Sequence, residues 1–235
     1  MRILLTRPLQ DGLALKSRLE AKGCTVTLAP LMTIEYRSAP VSLDGVQTIF
    51  FTSANGVRAF ARLSPERDLP VYAVGQATGA EAERSGFTAI HISGGDAIAL
   101  ARDAIAGLNP DGGTLLHIAG TVTKGDLGGQ LERAGFTYRK QELYAAEPVS
   151  HLPADAREGL KAGAFDAALF YSPRTARLFR ARVAEAGLED RLAGIDAYAL
   201  SAAVAEALSG LTWRQVRHTD RPEESALLAL MGLAG

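Results

Sequence analysis

The chain has 235 residues, 47% of them hydrophobic, a formal net charge of −1 and one cysteine. That length suits one large or two small α/β domains with a substantial core. The near-zero charge excludes a nucleic-acid binder driven by bulk positive charge. One cysteine excludes an intrachain disulfide and a multi-cysteine metal site, and no apolar stretch approaches membrane-spanning length.

Short apolar runs alternate with helix-period segments, the pattern of a parallel sheet with crossover helices. A strand is predicted over 2–7, entered from the N-terminus without a basic, apolar leader, so a cytoplasmic location is expected. A helix over 11–22 ends at Gly23, and a strand over 25–29 starts beside Cys24, expected to be a small core residue. Further strands are predicted over 47–52, 71–74, 89–92, 114–118, 137–143, 166–171, 196–200 and 214–217. Helices are predicted over 55–62, 77–85, 96–106, 124–134, 154–162, 174–186, 202–208 and 223–233. Gly86, Gly135 and Gly187 stand where helix C-terminal glycines belong, and Asp96 suits an N-cap. The run Asn109-Pro110-Asp111-Gly112-Gly113 is a strong break, expected to separate two halves.

The chain repeats itself. Thr48-Ile49-Phe50-Phe51-Thr52-Ser53-Ala54-Asn55-Gly56-Val57 returns as Ala167-Ala168-Leu169-Phe170-Tyr171-Ser172-Pro173-Arg174-Thr175-Ala176. Each copy ends a buried apolar run with a small hydroxyl residue and then enters a helix. Leu19-Glu20-Ala21-Lys22-Gly23 returns as Leu131-Glu132-Arg133-Ala134-Gly135, an offset of 112 residues. Block A (2–34) thus recurs as A′ (114–146), and block B (47–107) as B′ (166–233). One A and one B together make a five-stranded, doubly wound sheet of flavodoxin-like size. The pattern alone leaves open whether A pairs with B or with B′. The extended segments 33–37 and 143–147, each followed by a proline, are expected to pair as an antiparallel bridge.

No common cofactor signature is present: there is no G-x-G-x-x-G after a strand, no phosphate-binding lysine loop and no nucleophile elbow. His91, His117, His151 and His218 are scattered without metal-ligand spacing, and for His91 and His117, in strands, a packed or hydrogen-bonded role is expected. Arg177, Arg180 and Arg182 read as a solvated helix face. Ligands of open α/β sheets bind outside the carboxyl ends of the strands. The residues there form a pattern: Thr6 and Arg7; Thr52, Ser53, Ala54 and Asn55; Gly75 and Thr78; Gly120 and Thr121; Ser172, Pro173 and Arg174; Ser201. Each alone is a turn or cap. Together they make rims rich in hydroxyls and backbone N–H groups, with Arg7, Arg58, Lys124 and Arg174 adding positive charge. That suits a flexible polycarboxylate.

In Leu4-Leu5-Thr6-Arg7-Pro8, Phe51-Thr52-Ser53-Ala54-Asn55-Gly56-Val57, Val74-Gly75-Gln76-Ala77-Thr78, His117-Ile118-Ala119-Gly120, Leu143-Tyr144 with Pro148, Phe170-Tyr171-Ser172-Pro173 and Ala199-Leu200-Ser201, the chain resembles the uroporphyrinogen-III synthase family. The likeness runs in order along almost the whole chain. It implies two similar flavodoxin-like domains joined by a two-strand linker, with the active-site cleft between them. Domain one would be 1–34 plus 149–235, domain two 38–144, and the linkers 35–37 and 145–148. It implies a cofactor-free, metal-free lyase that closes the linear tetrapyrrole hydroxymethylbilane. Tyr144, the tyrosine before the second linker, is then the candidate acid. Ser53, Thr78, Ser172 and Ser201 would bind substrate carboxylates, helped by Thr6, Arg7, Ala54, Asn55, Gly75, Gly120, Lys124, Pro173 and Arg174. After Ser201 the chain departs from some relatives, since Ala202-Ala203-Val204 carries no hydroxyl. A monomer is expected, with transient contact to the preceding pathway enzyme and no nucleic-acid or membrane partner. The competing readings are a two-domain binder of anionic small molecules without catalysis, and a nucleotide or flavin protein on the same fold.

Overall fold

Two parallel sheets, each with helices on both faces, organise the computed structural model, which describes residues 1–233. In chain order the elements are β1 (Arg2–Leu5), α1 (Leu9–Glu20), β2 (Thr25–Leu28), β3 (Met32–Tyr36), β4 (Val46–Phe51), α2 (Ala54–Leu63), β5 (Val71–Ala73), α3 (Gln76–Arg84), β6 (Ile90–Ile92) and α4 (Ala97–Gly107). They continue with β7 (Thr114–Gly120), α5 (Leu127–Arg133), β8 (Tyr138–Pro148), α6 (Ala154–Lys161), β9 (Ala167–Phe170), α7 (Pro173–Glu185), β10 (Asp196–Ala199), α8 (Ala202–Glu206), β11 (Gln215–His218) and α9 (Glu224–Leu230).

The chain divides into two compact units. Unit 1 is Met1–Thr33 with everything from Glu147 onward, and unit 2 is Ile34–Ala146. The five-stranded sheet has the order β2-β1-β9-β10-β11, all parallel. The six-stranded sheet has the order β3-β8-β7-β4-β5-β6, parallel from β8 to β6. Block A therefore pairs with B′, and A′ with B. In each sheet the winding reverses at one place, between β1 and β9 and between β7 and β4, and that is where doubly wound sheets open a crevice for ligands. β3 runs antiparallel to β8: Arg37 N–H donates to Leu143 O at 2.8 Å and Val149 N–H to Leu31 O at 3.1 Å.

Alternation along the strands explains why both faces are covered. In unit 1, Ile3, Leu5, Ala167 and Leu169 belong to one apolar cluster, while Leu4, Ala168 and Phe170 belong to another that includes Phe179 and Trp213. In unit 2, Ile49 and Phe51 pack with Phe60 and Phe87, whereas Phe50 packs with Tyr72 and Leu100. Each fully buried large side chain contributes about 1.5–3 kcal/mol relative to exposure, so a strand with successive buried residues is held from both sides. Cys24 is buried, as expected. Asp96 caps α4 by accepting from Ala99 N–H at 2.7 Å.

The Asn109–Gly113 break is a 3-10 turn between α4 and β7, inside unit 2 and at the join of block B and block A′. Two expectations need correction. The helix expected from residue 124 starts at Leu127, because Gly125 adopts φ +76° and Asp126 caps the first turn through Gly129 N–H at 3.0 Å. The strand expected to end at residue 143 continues to Pro148 through a bulge. Ala119 faces Glu142, but the next residue, Gly120, faces Tyr144. The extra residue is Leu143, so Leu143 and Tyr144 join the same apolar cluster although they are adjacent in sequence. Regular strand alternation forbids that; a bulge permits it and re-aims the side chains that follow.

Candidate functional site

In unit 1 the candidate residues gather at the carboxyl ends of β1, β9 and β10. Ser172 caps α7, accepting from Thr175 N–H at 3.1 Å and donating to Thr175 Oγ1 at 2.9 Å, with Pro173 at the first helical position and Arg174 exposed beside it. Such a cap stabilises a helix by about 1 kcal/mol. Ser201 stands at the start of α8 without a side-chain cap bond. The rim is less open than its composition suggests. Thr6 is 1% exposed and its hydroxyl donates to Leu169 O at 2.6 Å, tying β1 to β9. Arg7 is not a free cation. Its guanidinium lies 4.5 Å over the Tyr171 ring and pairs with Glu224 at 2.5 Å and Asp11 at 4.0 Å. Arg18 also reaches Glu224, at 2.5 Å.

In unit 2 the residues collect around the β7–β4 reversal. Ser53 caps α2, its hydroxyl accepting from Asn55 N–H at 3.2 Å. Ala54 opens the helix, and Asn55 is buried with its Oδ1 accepting from Arg58 at 3.0 Å. Gly56 lets α2 lie against the end of β7: a Cβ there would stand 2.9 Å from Ile118 O. Gly75 caps α3 with its carbonyl, which accepts from Thr78 N–H at 3.1 Å, and Thr78 is buried. Lys124 is exposed in the loop between β7 and α5. Arg58, expected as spare positive charge, is neutralised by Glu81 at 2.9 Å. Burial pushes the Glu81 carboxyl up, but hydrogen bonds from Arg58 and Arg84 outweigh it and hold the group below its ordinary range.

Tyr144 is the centre of this arrangement. It is 8% exposed, and its ring packs against Gly120: a Cβ on that glycine would meet Cε2 at 2.7 Å and Cζ at 2.8 Å. Burial pushes the phenol up from its ordinary value, while favourable interactions with the Ser53 side chain and the Gly120 backbone offset part of the rise. The group therefore stays protonated at neutral pH, as a proton donor must. The same unit holds a feature the sequence did not announce. His117 is 3% exposed, with Nε2 2.9 Å from Thr52 Oγ1 and Nδ1 2.6 Å from the Tyr138 hydroxyl. Burial and the nearby Lys140 hold its imidazole down at about 4. The expected packed or hydrogen-bonded role is what the structure gives for both strand histidines: His91, though exposed, stacks on Tyr72 at 4.7 Å and reaches Asp103 at 3.4 Å. Among the described residues no group of three or more His, Cys, Asp or Glu side chains is placed to hold a metal, and no helix is long and apolar enough to cross a membrane.

The model of the family described as uroporphyrinogen-III synthase HemD (HEM4) matches residues 14–229. The chain belongs to the uroporphyrinogen-III synthase family. It is therefore a lyase of tetrapyrrole biosynthesis. Among solved structures, uroporphyrinogen-III synthetase from Helicobacter pylori 26695 is similar at 16% identity and TM-score 0.68, with 98% of each chain covered. A mutant uroporphyrinogen III synthase from the extremely thermophilic bacterium Thermus thermophilus is similar at 20% identity and TM-score 0.50, covering 99% of this chain and 96% of that one. These two likenesses speak for the two-domain α/β fold. No curated protein matched.

For a uroporphyrinogen-III synthase, the contact between Tyr144 and Gly120 gives a direct test. Gly120→Ala is expected to cost about 1–2 kcal/mol of stability, the lower part of the overpacking range, because a ring rather than backbone must move. Turnover is expected to fall out of proportion, since the ring that moves carries the candidate acid. Thermal melting and steady-state assays on the same preparation check this; a variant that melts earlier but turns over normally would separate Gly120 from the site.

Proposed function

We propose that this chain catalyses cyclodehydration of hydroxymethylbilane, with inversion of ring D, to uroporphyrinogen III and water, and that the unit 2 rim around Tyr144 performs the proton transfer. The observation that carries the reading is the bulge that sets the protonated phenol of Tyr144 against Gly120 beside the Ser53 cap. Most of the driving force lies in the substrate. Electron density from the pyrrole nitrogen breaks the C–O bond of the hydroxymethyl group, and the Tyr144 hydroxyl gives its proton to the departing oxygen, which leaves as water. The resulting azafulvenium carbon, its pyrrole N–H retained, is attacked by the substituted α-carbon of ring D to form a spiro intermediate. This fragments and recloses with ring D reversed. The proton lost when the pyrrole regains aromaticity returns to the tyrosinate.

Such a mechanism asks the protein chiefly to hold a flexible chain in one geometry. Orientation can supply roughly 7–11 kcal/mol, and a placed acid about 10²–10⁴-fold. We assign binding of the substrate's carboxylates to Ser53, Ala54, Asn55, Gly75, Thr78, Gly120 and Lys124 in unit 2, and to Thr6, Arg7, Ser172, Pro173, Arg174 and Ser201 in unit 1. In the first turns of α2 and α7 the backbone N–H groups add to the side chains, since helix N-termini favour anions. At Thr6 the ligand is left with the backbone, because the hydroxyl is committed to Leu169. At Arg7 a substrate carboxylate must share the guanidinium with Glu224 or displace it. We further propose that the enzyme acts as a monomer in the cytoplasm, where a buried, unpaired Cys24 stays reduced, and that it meets the preceding pathway enzyme only transiently.

Purified protein incubated with hydroxymethylbilane is expected to yield isomer III. Left alone, the bilane closes without inversion to isomer I. Chromatographic separation of the two isomers decides: isomer I alone would end this reading.

A further inference from the structure

Thr52, His117 and Tyr138 form a continuous hydrogen-bonded line within unit 2; Thr52 stands in the rim pattern, but no role has been assigned to any of the three. His117 lies on β7 opposite Phe50 and reaches Thr52 Oγ1 with Nε2 at 2.9 Å and the Tyr138 hydroxyl with Nδ1 at 2.6 Å. Tyr138 is itself pinned, because its ring covers Gly128, where a Cβ would meet Cε1 at 2.6 Å. The line runs from the covered side of β8 to the carboxyl end of β4. There Thr52 is partly exposed and immediately precedes the Ser53 cap.

The direction of the hydrogen bonds decides what the line does. Burial, with Lys140 nearby, keeps the imidazole neutral at neutral pH, so it carries one N–H. A phenol is the stronger donor of the two hydroxyls. Tyr138 therefore donates to Nδ1, which leaves the hydrogen on Nε2, and Nε2–H donates to Thr52 Oγ1. The Thr52 hydroxyl then keeps its own hydrogen for a third group, and among the described residues no protein acceptor takes it.

We propose that Thr52 is a further substrate-binding residue, its hydroxyl donating to a carboxylate of the linear tetrapyrrole, and that His117 and Tyr138 are positioning residues that fix that hydrogen toward the ligand. A neutral donor set by a buried chain adds a hydrogen bond to an anion without adding charge. It therefore complements the unit 2 rim, whose Arg58 already pairs with Glu81. This inference rests on the proposed function for its ligand, but not for its hydrogen-bond geometry.

Two measurements test it. Long-range nitrogen–proton correlation spectra of the ligand-free protein are expected to show His117 protonated at Nε2. Protonation at Nδ1 would reverse the line and overturn the proposal. In steady-state assays with hydroxymethylbilane, Thr52→Val is expected to raise KM about tenfold, the size of one hydrogen bond to a charged group, with kcat changed less. Thr52→Ser should recover most of that loss. Tyr138→Phe should raise KM when Thr52 is present and add little in the Thr52→Val background. An unchanged KM in Thr52→Val, or a Tyr138→Phe effect of equal size in both backgrounds, would overturn it. If wild-type protein forms only isomer I, the proposed function falls and takes the ligand assignment with it. If isomer III forms and Thr52→Val is indifferent, the present inference alone falls.

Discussion

Tyr144→Phe is expected to lower turnover by about ten- to a hundredfold while leaving KM and the melting temperature little changed. The substitution keeps the ring that packs against Gly120 and removes only the hydroxyl. The packing lost is therefore small, on the scale of one net hydrogen bond, about 1 kcal/mol. The chemical loss is larger if the hydroxyl is the donor to the departing oxygen, because a positioned acid contributes about 10²–10⁴-fold. The lower end is expected here, since the pyrrole nitrogens already expel the leaving group and water can protonate it more slowly. An effect confined to kcat marks an interaction made in the transition state, whereas a rise in KM alone would mark ground-state binding. Steady-state kinetics with hydroxymethylbilane separate the two, and unchanged turnover would remove Tyr144 from the mechanism.

Acid is expected to destabilise the enzyme through His117 by about 3 kcal/mol between pH 6.5 and pH 4. In the fold its imidazole is held at about 4 by burial and by Lys140, against an unfolded value of 6.5. Between those values the unfolded chain binds a proton that the folded chain refuses, so stability rises with pH across the window and falls as pH drops through it. At 1.36 kcal/mol per unit the difference comes to about 3 kcal/mol. His117→Asn should be less stable at neutral pH, because Thr52 and Tyr138 lose their partner, yet flatter on acidification. The exposed histidines are present in both proteins and cancel in the comparison. Urea unfolding of both proteins from pH 7 to pH 4.5 measures the two slopes. Parallel slopes would mean that His117 takes up its proton in the folded protein as readily as in the unfolded one.

The architecture was largely legible because its causes are local or repetitive. Val46–Phe51 and Ala167–Phe170 are short apolar runs ended by a capping serine, and the helices stop at glycines such as Gly23, with φ +79°. Duplication exposed the two sheets, since the same block order appears twice. What stayed hidden depends on partners far apart in sequence or on a single change of register. Nothing near Arg7 signals that Glu224, 217 positions away, will neutralise it. Nothing near Thr6 signals that its hydroxyl will be spent on Leu169. Tyr144 could be chosen from its place before the linker, but its aim depends on the bulge at Leu143, and alternation read from the sequence would have turned it to the opposite face. The Thr52–His117–Tyr138 line was hidden for a similar reason: two strand residues and the one just past β4 meet only once β4, β7 and β8 are laid side by side.

The crossed order of the sheets also sets a timetable for synthesis. β1 and β2 leave the ribosome first, yet β1 finds its central neighbour only when Ala167 emerges to sit beside Ile3. Every strand of the six-stranded sheet is made in the interval. An isolated pair of strands is marginal in water, so the opening β1-α1-β2 segment waits, with Ile3, Leu4 and Leu5 uncovered, while the middle of the nascent chain completes its own core. Residues 2–5 are thus buried late, and translation speed through residues 29–170 governs how long that apolar edge stands open to chaperones and proteases.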